Sequence, residues 1–323
     1  MGMQETVMAR KGLLKATRAW IEEARRTPDY SLFDMLHGYT YTRWPYLYIG
    51  IAKGDHPLTR VLGPLVRRLA GLLWSDTAPG KTDRPTFADT YHGKAMPLEA
   101  ATQLVTVGED IRLLDLEQVI PYTHARDIVL KNPDHIVVLE CPCRAVLPDP
   151  CLPLDVCLIV GEPFASFVAA HHPRRSRWIT SEEAIAILRA EDERGHAHHA
   201  FFKDAMLNRF YAICNCCACC CGAMQAHRHG VPMLASSGYV CRVDTAQCVG
   251  CGLCAPTCPF GALSIENSAA TANTDACMGC GVCIAKCARK ALSLERDPAK
   301  GEPLEIHKLA IPTSSFDAKD KLC

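Results

Sequence analysis

Two stretches near the C-terminus decide the fold: "CVGCGLCAPTCP" (residues 248–259) and "CMGCGVCIAKCA" (residues 277–288). Both place their cysteines in the same C-x2-C-x2-C-x3-C spacing, so the second stretch repeats the first. The first run is followed by Pro259, whereas the second is followed by Ala288. Gly252 and Gly281 occupy equivalent places and fit tight turns. This repeat predicts a small domain built around two sets of thiols.

The doubled spacing is the bacterial pattern for [4Fe–4S] clusters, in which the fourth cysteine of each run binds the other cluster. Residues 238–300 therefore resemble a bacterial two-cluster ferredoxin. The resemblance implies one cluster held by Cys248, Cys251, Cys254 and Cys287, and a second held by Cys277, Cys280, Cys283 and Cys258. A zinc ribbon is the alternative, and eight cysteines in this doubled register disfavour it.

Ten further cysteines lie upstream, between residues 141 and 221. Four stand in a proline-rich loop between two predicted buried strands, residues 136–139 and 156–160. Six more are packed into "AICNCCACCCG" (residues 212–222), a density that hydrophobic packing does not explain. We expect these ten to hold one or two additional iron–sulfur clusters, with the assignment open: Cys141, Cys143, Cys151, Cys157, Cys214, Cys216, Cys217, Cys219, Cys220 and Cys221. A zinc or copper(I) thiolate site is the rival interpretation, because soft ligands also select those metals.

Three polar features near these cysteines have both a functional and a plain interpretation. Arg144 could offset the charge of a cluster, form a docking contact, or be an ordinary surface arginine. The run His196, His198 and His199 could bind metal, but without a matched carboxylate a packing or solvated role is favoured. Cys241 falls outside every group and is interpreted as a core thiol of the strand that enters the ferredoxin-like segment.

The remaining pattern predicts several helices. Residues 8–26 are amphipathic, and Thr180 to Glu183 form a capping box that opens a helix closed by Gly195. Residues 200–211 are predicted to be helical. The segment "TRWPYLYIGIAKGDHP" (residues 42–57) is aromatic and broken by prolines, which favours a loop or docking surface.

The N-terminal region is basic and free of cysteine up to Cys141. Through residue 75 there are 11 Lys and Arg residues against 6 Asp and Glu residues. Residues 58–74 form a basic amphipathic stretch, for which packing is the default. A membrane surface or an acidic partner protein is the alternative.

Composition excludes several functional classes. The formal net charge is zero, which argues against a nucleic-acid binder that relies on a positive field. The chain shows neither an apolar run long enough for a transmembrane helix nor a secretory leader, so we expect a cytoplasmic protein. In a reducing compartment, 20 cysteines indicate metal ligation rather than disulfides. No G-x-G-x-x-G or Walker sequence marks a nucleotide site.

Together these patterns predict an α+β protein with a helical N-terminal region (1–95) and a mixed α/β cysteine-rich domain (96–237). A dicluster ferredoxin domain (238–300) and a tail (301–323) follow. The order of the cysteine loops resembles that of ferredoxin-type multi-cluster proteins of anaerobic prokaryotes. Two ferredoxin-type clusters, together with more upstream thiols than a further cluster needs, favour an electron carrier or redox subunit that exchanges electrons with a partner oxidoreductase. The alternatives are a ferredoxin-fused reductase with a catalytic site in residues 141–221, and a zinc or copper thiolate domain fused to a ferredoxin.

Overall fold

A computed structural model describes residues 3–54, 91–107, 111–113, 119, 128–130, 132–306 and 310–312. The chain opens with helices α1 (Met3–Arg26), α2 (Leu32–Arg43) and α3 (Pro45–Lys53). Helix α1 confirms the predicted helix over residues 8–26. The prediction of a loop over residues 42–57 is wrong for the described residues, which include α3. Pro45 takes the first position of this helix, where a proline costs no backbone hydrogen bond. The basic stretch 58–74 lies outside the described residues.

The described residues form fourteen strands and seven further helices. The strands are β1 (Tyr91–Met96), β2 (Ile111–Leu113), β3 (Ile128–Leu130), β4 (Ile136–Glu140), β5 (Asp155–Val160), β6 (Ser176–Ile179), β7 (Ala197–Lys203), β8 (Arg209–Cys216), β9 (Leu234–Ala235), β10 (Tyr239–Val243), β11 (Leu263–Glu266), β12 (Ala269–Ala272), β13 (Leu292–Arg296) and β14 (Ala310–Pro312). The helices are α4 (Leu98–Thr106), α5 (Pro142–Ala145), α6 (Phe164–His171), α7 (Ser181–Glu193), α8 (Gly222–Arg228), α9 (Cys254–Thr257) and α10 (Val282–Ala285). Two 3₁₀ turns cover Asp204–Met206 and Pro298–Lys300.

A seven-stranded sheet in the order β6-β4-β5-β8-β7-β1-β9 forms the centre of the molecule. Neighbouring strands are antiparallel except β1 and β9, which run parallel. Strands β4 and β5 confirm the two predicted buried strands, and α7 confirms the predicted helix capped by Thr180, whose side chain accepts a hydrogen bond from the backbone N–H of Glu183. Among the described residues, the helices and the mixed sheet bear out the α+β class.

The predicted helix over residues 200–211 is wrong, because this segment forms the β7–β8 hairpin. Leu207 and Asn208 adopt φ values of 60° and 54°, and two successive residues in this left-handed region turn the chain back on itself. Every residue of β7 is buried. Burial on both faces of the sheet therefore overrides the local preference for helix.

Both faces of the sheet are covered, so its strands are apolar on both sides. In β4, Ile136 and Val138 face a core that includes residues of α4 and α7. Val137 and Leu139 face the opposite core, which contains residues of α1 and α6. The molecule therefore has three layers here, with helices on either side of the sheet.

The N-terminal helices pack into the second of these cores. Trp20 of α1 is fully buried, with its ring centroid 5.5 Å from that of Phe164 and 5.1 Å from that of Phe167. The hydroxyls of Tyr41 and Tyr211 are 2.9 Å apart, which joins α2 to β8. The described helices of residues 1–95 thus share a core with the central sheet, and β1 is one of its strands.

Two small antiparallel ladders, β10 with β13 and β11 with β12, frame the two C-terminal cysteine runs. Each run contributes a loop and then a one-turn helix, α9 in the first run and α10 in the second. The buried side chains between these elements form a core of their own that is rich in cysteine. A separate three-stranded sheet joins β2 to both β3 and β14.

Replacing Trp20 with alanine tests whether the N-terminal helices are part of the central body. We expect Trp20→Ala to lower the free energy of unfolding by about 3–5 kcal/mol, as for other buried aromatic side chains. Leu14→Ala in the same helix removes an exposed side chain and serves as the control. Anaerobic denaturant titration followed by circular dichroism provides the measurement. An unchanged transition in Trp20→Ala would show that the sheet is stable without α1.

Candidate metal centres

Four cysteines of the C-terminal segment line one small cavity of about 20 Å³: Cys248, Cys251, Cys254 and Cys287. Two of their sulfurs accept hydrogen bonds from the backbone. The N–H of Ala270 lies 3.3 Å from Cys248 Sγ, and the N–H of Ala291 lies 3.3 Å from Cys287 Sγ. Backbone donors aimed at sulfur are suited to thiolates that carry negative charge, and such bonds tune cluster potentials.

A second cavity of about 20 Å³ is lined by Cys258, Cys277, Cys280 and Cys283. Here the N–H of Ala262 donates to Cys258 Sγ and the N–H of Cys241 donates to Cys277 Sγ, both over 3.3 Å. Each cavity thus takes three cysteines from one run and the fourth cysteine from the other. The structure brings together the same two sets of four that the ferredoxin resemblance implies.

The two runs share an unusual backbone shape at Gly250 and Gly279, where φ is 62° in both. A Cβ atom would lie 2.2 Å from the carbonyl oxygen of Ser268 in the first case, and 2.2 Å from that of Tyr239 in the second. Only glycine fits so close to another backbone segment at positive φ. These loops are therefore held against their neighbouring strands, which fixes the cysteines beside them.

Cys241 is buried in β10, as predicted, but it also lines the second cavity. Its Sγ is 3.7 Å from Cys283 Sγ. Sequence reasoning missed this proximity, because Cys241 precedes the first run and belongs to neither repeat. Its place in the site depends on the pairing of β10 with β13.

The ten upstream cysteines divide into two groups that the sequence did not separate. A larger chamber of about 80 Å³ between the sheet and the N-terminal helices is lined by seven cysteines, of which Cys217 also belongs to the second group. The six that belong to the chamber alone are Cys141, Cys143, Cys157, Cys214, Cys216 and Cys221. Apolar side chains such as Ile49, Phe201 and Met206 complete its wall. Loop residues, strand β8 and the start of α8 thus bring together thiols up to 80 positions apart.

The six thiols form a chain of pairwise contacts. Cys141 is hydrogen-bonded to Cys143 and Cys157, and Cys143 also contacts Cys221. Cys216 Sγ and Cys221 Sγ are 3.3 Å apart. Hydrogen bonds with Cys141 and Cys221 lower the pKa of Cys143. In contrast, hydrogen bonds with Cys143 and Cys157, together with burial, raise the pKa of Cys141. Thiols grouped in this way are suited to binding a soft metal ion.

Lys53, the last residue of α3, reaches two of the cysteine loops. Its Nζ donates to the carbonyl oxygen of Cys143 over 3.2 Å and to that of Cys220 over 2.9 Å. The ammonium joins two cysteine loops and places positive charge beside the thiols. No sequence pattern indicates this role, since Lys53 stands in a segment interpreted as a loop or docking surface.

Arg144 is fully buried, so the surface-arginine and docking interpretations are wrong. Its guanidinium donates to Glu191 Oε2 over 2.6 Å, to the carbonyl oxygen of Pro153 over 2.6 Å and to that of Asn215 over 3.0 Å. Burial raises the pKa of Glu191, but hydrogen bonds from His196 and Arg144 outweigh this and hold it below its usual value. Arg144 thus holds the cysteine loop 141–154 against strand β8.

His198 and His199 of the histidine run are buried, whereas His196 is half-buried. His198 Nδ1–H donates to Asn215 Oδ1 over 2.6 Å, and burial lowers the pKa of His198 to about 4, so it is neutral at pH 7. His199 is also fully buried and lies beside Cys216. A hydrogen bond with Cys221 and the nearby His199 lower the pKa of Cys216 to about 6. The packing role predicted for these residues fits His198, whereas His199 borders the thiols.

The other four upstream cysteines form a tight group at the surface: Cys151, Cys217, Cys219 and Cys220. Their sulfurs all lie within 4.8 Å of one another. Cys151 Sγ is 2.8 Å from Cys219 Sγ, and Cys219 Sγ is 3.4 Å from Cys220 Sγ. Cys219 is exposed and Cys151 is half-buried, whereas Cys217 and Cys220 are buried, so the group reaches the surface on one side.

Comparison with protein families identifies the C-terminal segment. Residues 247–292 match the family model of the 4Fe-4S dicluster domain, and this match spans both cysteine runs. The segment is therefore an iron–sulfur domain of the dicluster type, which implies [4Fe–4S] clusters as its cofactors. The crossed sets of four cysteines and their backbone donors fit such clusters. No curated protein matches the chain, so the family assignment rests on this domain. None of the described helices combines the length and apolar character needed to cross a membrane.

Replacing Arg144 with methionine tests its part in organising the thiols. We expect Arg144→Met to cost about 3–5 kcal/mol, because it removes the fully buried partner of the Glu191 carboxylate, which then keeps only His196 and the half-exposed Arg194. Arg177→Met is the control, since its ion pair with Glu183 (2.5 Å) is half-exposed and should contribute about 0–1 kcal/mol. Denaturant titration gives both values. Equal costs for the two variants would contradict the role assigned to Arg144.

Proposed function

We propose that this protein is an iron–sulfur electron carrier with at least three centres. Two would be [4Fe–4S] clusters, one bound by Cys248, Cys251, Cys254 and Cys287 and the other by Cys258, Cys277, Cys280 and Cys283. A further cluster would occupy the six-thiol chamber. When bound, such clusters supply reversible one-electron exchange, with potentials set by hydrogen bonds and solvent access.

The observation that carries this proposal is the packing of the chamber against the second cavity. Ala197, the first residue of β7, packs with Cys280 and Val282 in one buried cluster. Ala197 is also paired with Cys216 across the β7–β8 ladder. One residue thus neighbours both a cysteine of the dicluster domain and a cysteine of the chamber.

A second contact runs beside the first. The ring of His199, next to Cys216, lies 6.2 Å from the ring of Phe260. Phe260 follows Cys258 and Pro259 and lines the second cavity. Because these side chains are packed together, the two groups of thiols belong to one rigid region. An electron-transfer chain needs its centres close together and fixed in this way, whereas a storage protein does not.

The first cavity supports an exchange point with a partner. Cys251 is exposed there, and Val249 and Leu253 beside it are 59% and 61% exposed. Exposed apolar side chains around a redox site are suited to a transient contact with another protein. We therefore propose that electrons enter or leave at this end, to or from a partner oxidoreductase.

Iron and sulfide analysis of the anaerobically purified full chain tests the proposal. Two [4Fe–4S] clusters account for about eight irons, and a further cubane in the chamber would raise the count to about twelve. In Cys143→Ser we expect the iron count to fall to about eight, because Cys143 contacts the thiols of both Cys141 and Cys221. Cys323→Ser, outside the cysteine groups, is the matched control. Electron paramagnetic resonance of the reduced protein should lose one component in Cys143→Ser only.

A wild-type count of about eight irons, unchanged in Cys143→Ser, would contradict a cluster in the chamber. A count of about twelve that falls in Cys280→Ser but not in Cys143→Ser would contradict the assignment of ligands. Electron carriage itself is tested by reducing the protein stoichiometrically and oxidising it with a one-electron acceptor. Fewer electrons recovered than clusters present would contradict the proposed role.

The surplus of thiols favours a second candidate, a reductase that uses the chamber as its site. A cubane takes four cysteines, so two of the six would remain, and Cys216 and Cys221 stand 3.3 Å apart. Reduction of a substrate disulfide to two thiols consumes two electrons, which the dicluster domain would deliver, and two protons. Turnover of a small disulfide by the electrochemically reduced protein, lost in Cys221→Ser with iron retained, distinguishes this candidate from a carrier.

A further inference from the structure

We infer that Cys151, Cys217, Cys219 and Cys220 form a separate site for one tetrahedrally coordinated zinc ion. These four residues would then not be cluster ligands. The site would lie on the surface and bridge the loop before β5 to the turn after β8. This inference is independent of the proposed electron-carrier function, because it concerns different cysteines and a metal without redox chemistry.

The spacing of the sulfurs is the first argument. Zinc–sulfur bonds of about 2.3 Å in a tetrahedron place the four sulfurs about 3.8 Å from one another. The four sulfurs here all lie within 4.8 Å of each other, so a small adjustment would bring all of them onto one ion. A cubane binds each thiolate to a different iron at its outer corners, which requires wider separation.

The rest of the molecule provides an internal comparison. Throughout the part of the chain that the structure describes, no other three cysteine, histidine or acidic ligand atoms gather within this mutual distance. The two sets of four in the dicluster domain, which matches an iron–sulfur family, are therefore more widely spaced. The same holds for the six chamber thiols. The close spacing is a property of the surface group alone among these cysteines.

The surroundings of the surface group are those of a structural site. Gln225 Nε2 donates to the carbonyl oxygen of Cys219 over 2.9 Å, and Arg228 donates to that of Ala218. Both side chains come from α8, so this helix holds the turn in shape and brings one positive charge towards four thiolates. Because all four ligands are cysteine, coordination would be complete and no position would remain for a substrate.

The position of the site explains what the ion would do. Cys217 also borders the six-thiol chamber, and Cys220 and Cys221 are adjacent in the chain. The ion would therefore tie together the outer edges of the two loops that supply chamber thiols. It would supplement Arg144, which joins the same loops from inside through Pro153 and Asn215.

Zinc and iron analysis of full-chain variants at Cys219 tests this site. Cys219 is exposed, so substitution there removes little packing. We expect about one zinc per chain in the wild type, and loss of that zinc with unchanged iron in Cys219→Ala. Cys219→His should retain zinc, because three cysteines and one histidine form an ordinary zinc site. Cys323→Ser is the control and should match the wild type.

X-ray absorption at the zinc edge identifies the ligands directly. The wild type should show a shell of four sulfurs at about 2.3 Å, and Cys219→His should show three sulfurs and one nitrogen. A loss of iron in place of zinc in Cys219→Ala, whether one atom or four, would overturn the assignment. So would a zinc-free wild type in which Cys151 and Cys219 are found linked as a disulfide by mass spectrometry.

These outcomes are separable from those of the electron-carrier proposal. Zinc present with only about eight irons would leave the surface site standing while the chamber cluster fails. About twelve irons without zinc would support the chamber cluster and overturn the surface zinc site.

Discussion

One buried guanidinium organises the cysteine-rich half of this molecule. Arg144 reaches Pro153 on one cysteine loop, Asn215 on strand β8 and Glu191 on helix α7. Burying such a charge is costly unless it is paired and fully hydrogen-bonded, and the Glu191 carboxylate meets that need. The pair does not have to add net stability to be essential. Its geometry fixes how two loops, separated by about sixty residues, present their thiols to one chamber.

The antiparallel pairing of β7 and β8 is a second constraint on where the thiols lie. Because β7 and β8 form a hairpin, Ala197 is paired with Cys216 and His199 with Cys214. This register places the start of β7 between the chamber and the dicluster domain. Lys286 of that domain in turn donates to the carbonyl oxygen of Glu193, close to the same strand end. A shift of one residue in the hairpin would reverse which side chains face the thiols, so the relation between the metal centres depends on this register.

The sequence predicted the dicluster domain well and the upstream region poorly, for a physical reason. In the C-terminal runs, three of four cysteines in each set lie within seven residues, and local loop shape is enough to group them. Upstream, Cys143 contacts Cys221, so the grouping depends on strand order and on the hairpin. The wrong helix over residues 200–211 hid that hairpin. The division of ten cysteines into six and four, and the roles of Lys53 and Arg144, are therefore consequences of tertiary structure.

The charge balance of the chamber links metal binding to folding. The six chamber thiols, four of them buried and two half-buried, stand close to the cations Lys53 and Arg144. Arg144 is already paired with Glu191. Burial and mutual contact raise the pKa of Cys141, Cys157 and Cys221, which keeps these thiols protonated while no metal is bound. Because metal ions bind thiolates, a metal that entered the chamber would release these protons and put positive charge in their place. It would add to the positive charge that Lys53 and Arg144 supply there.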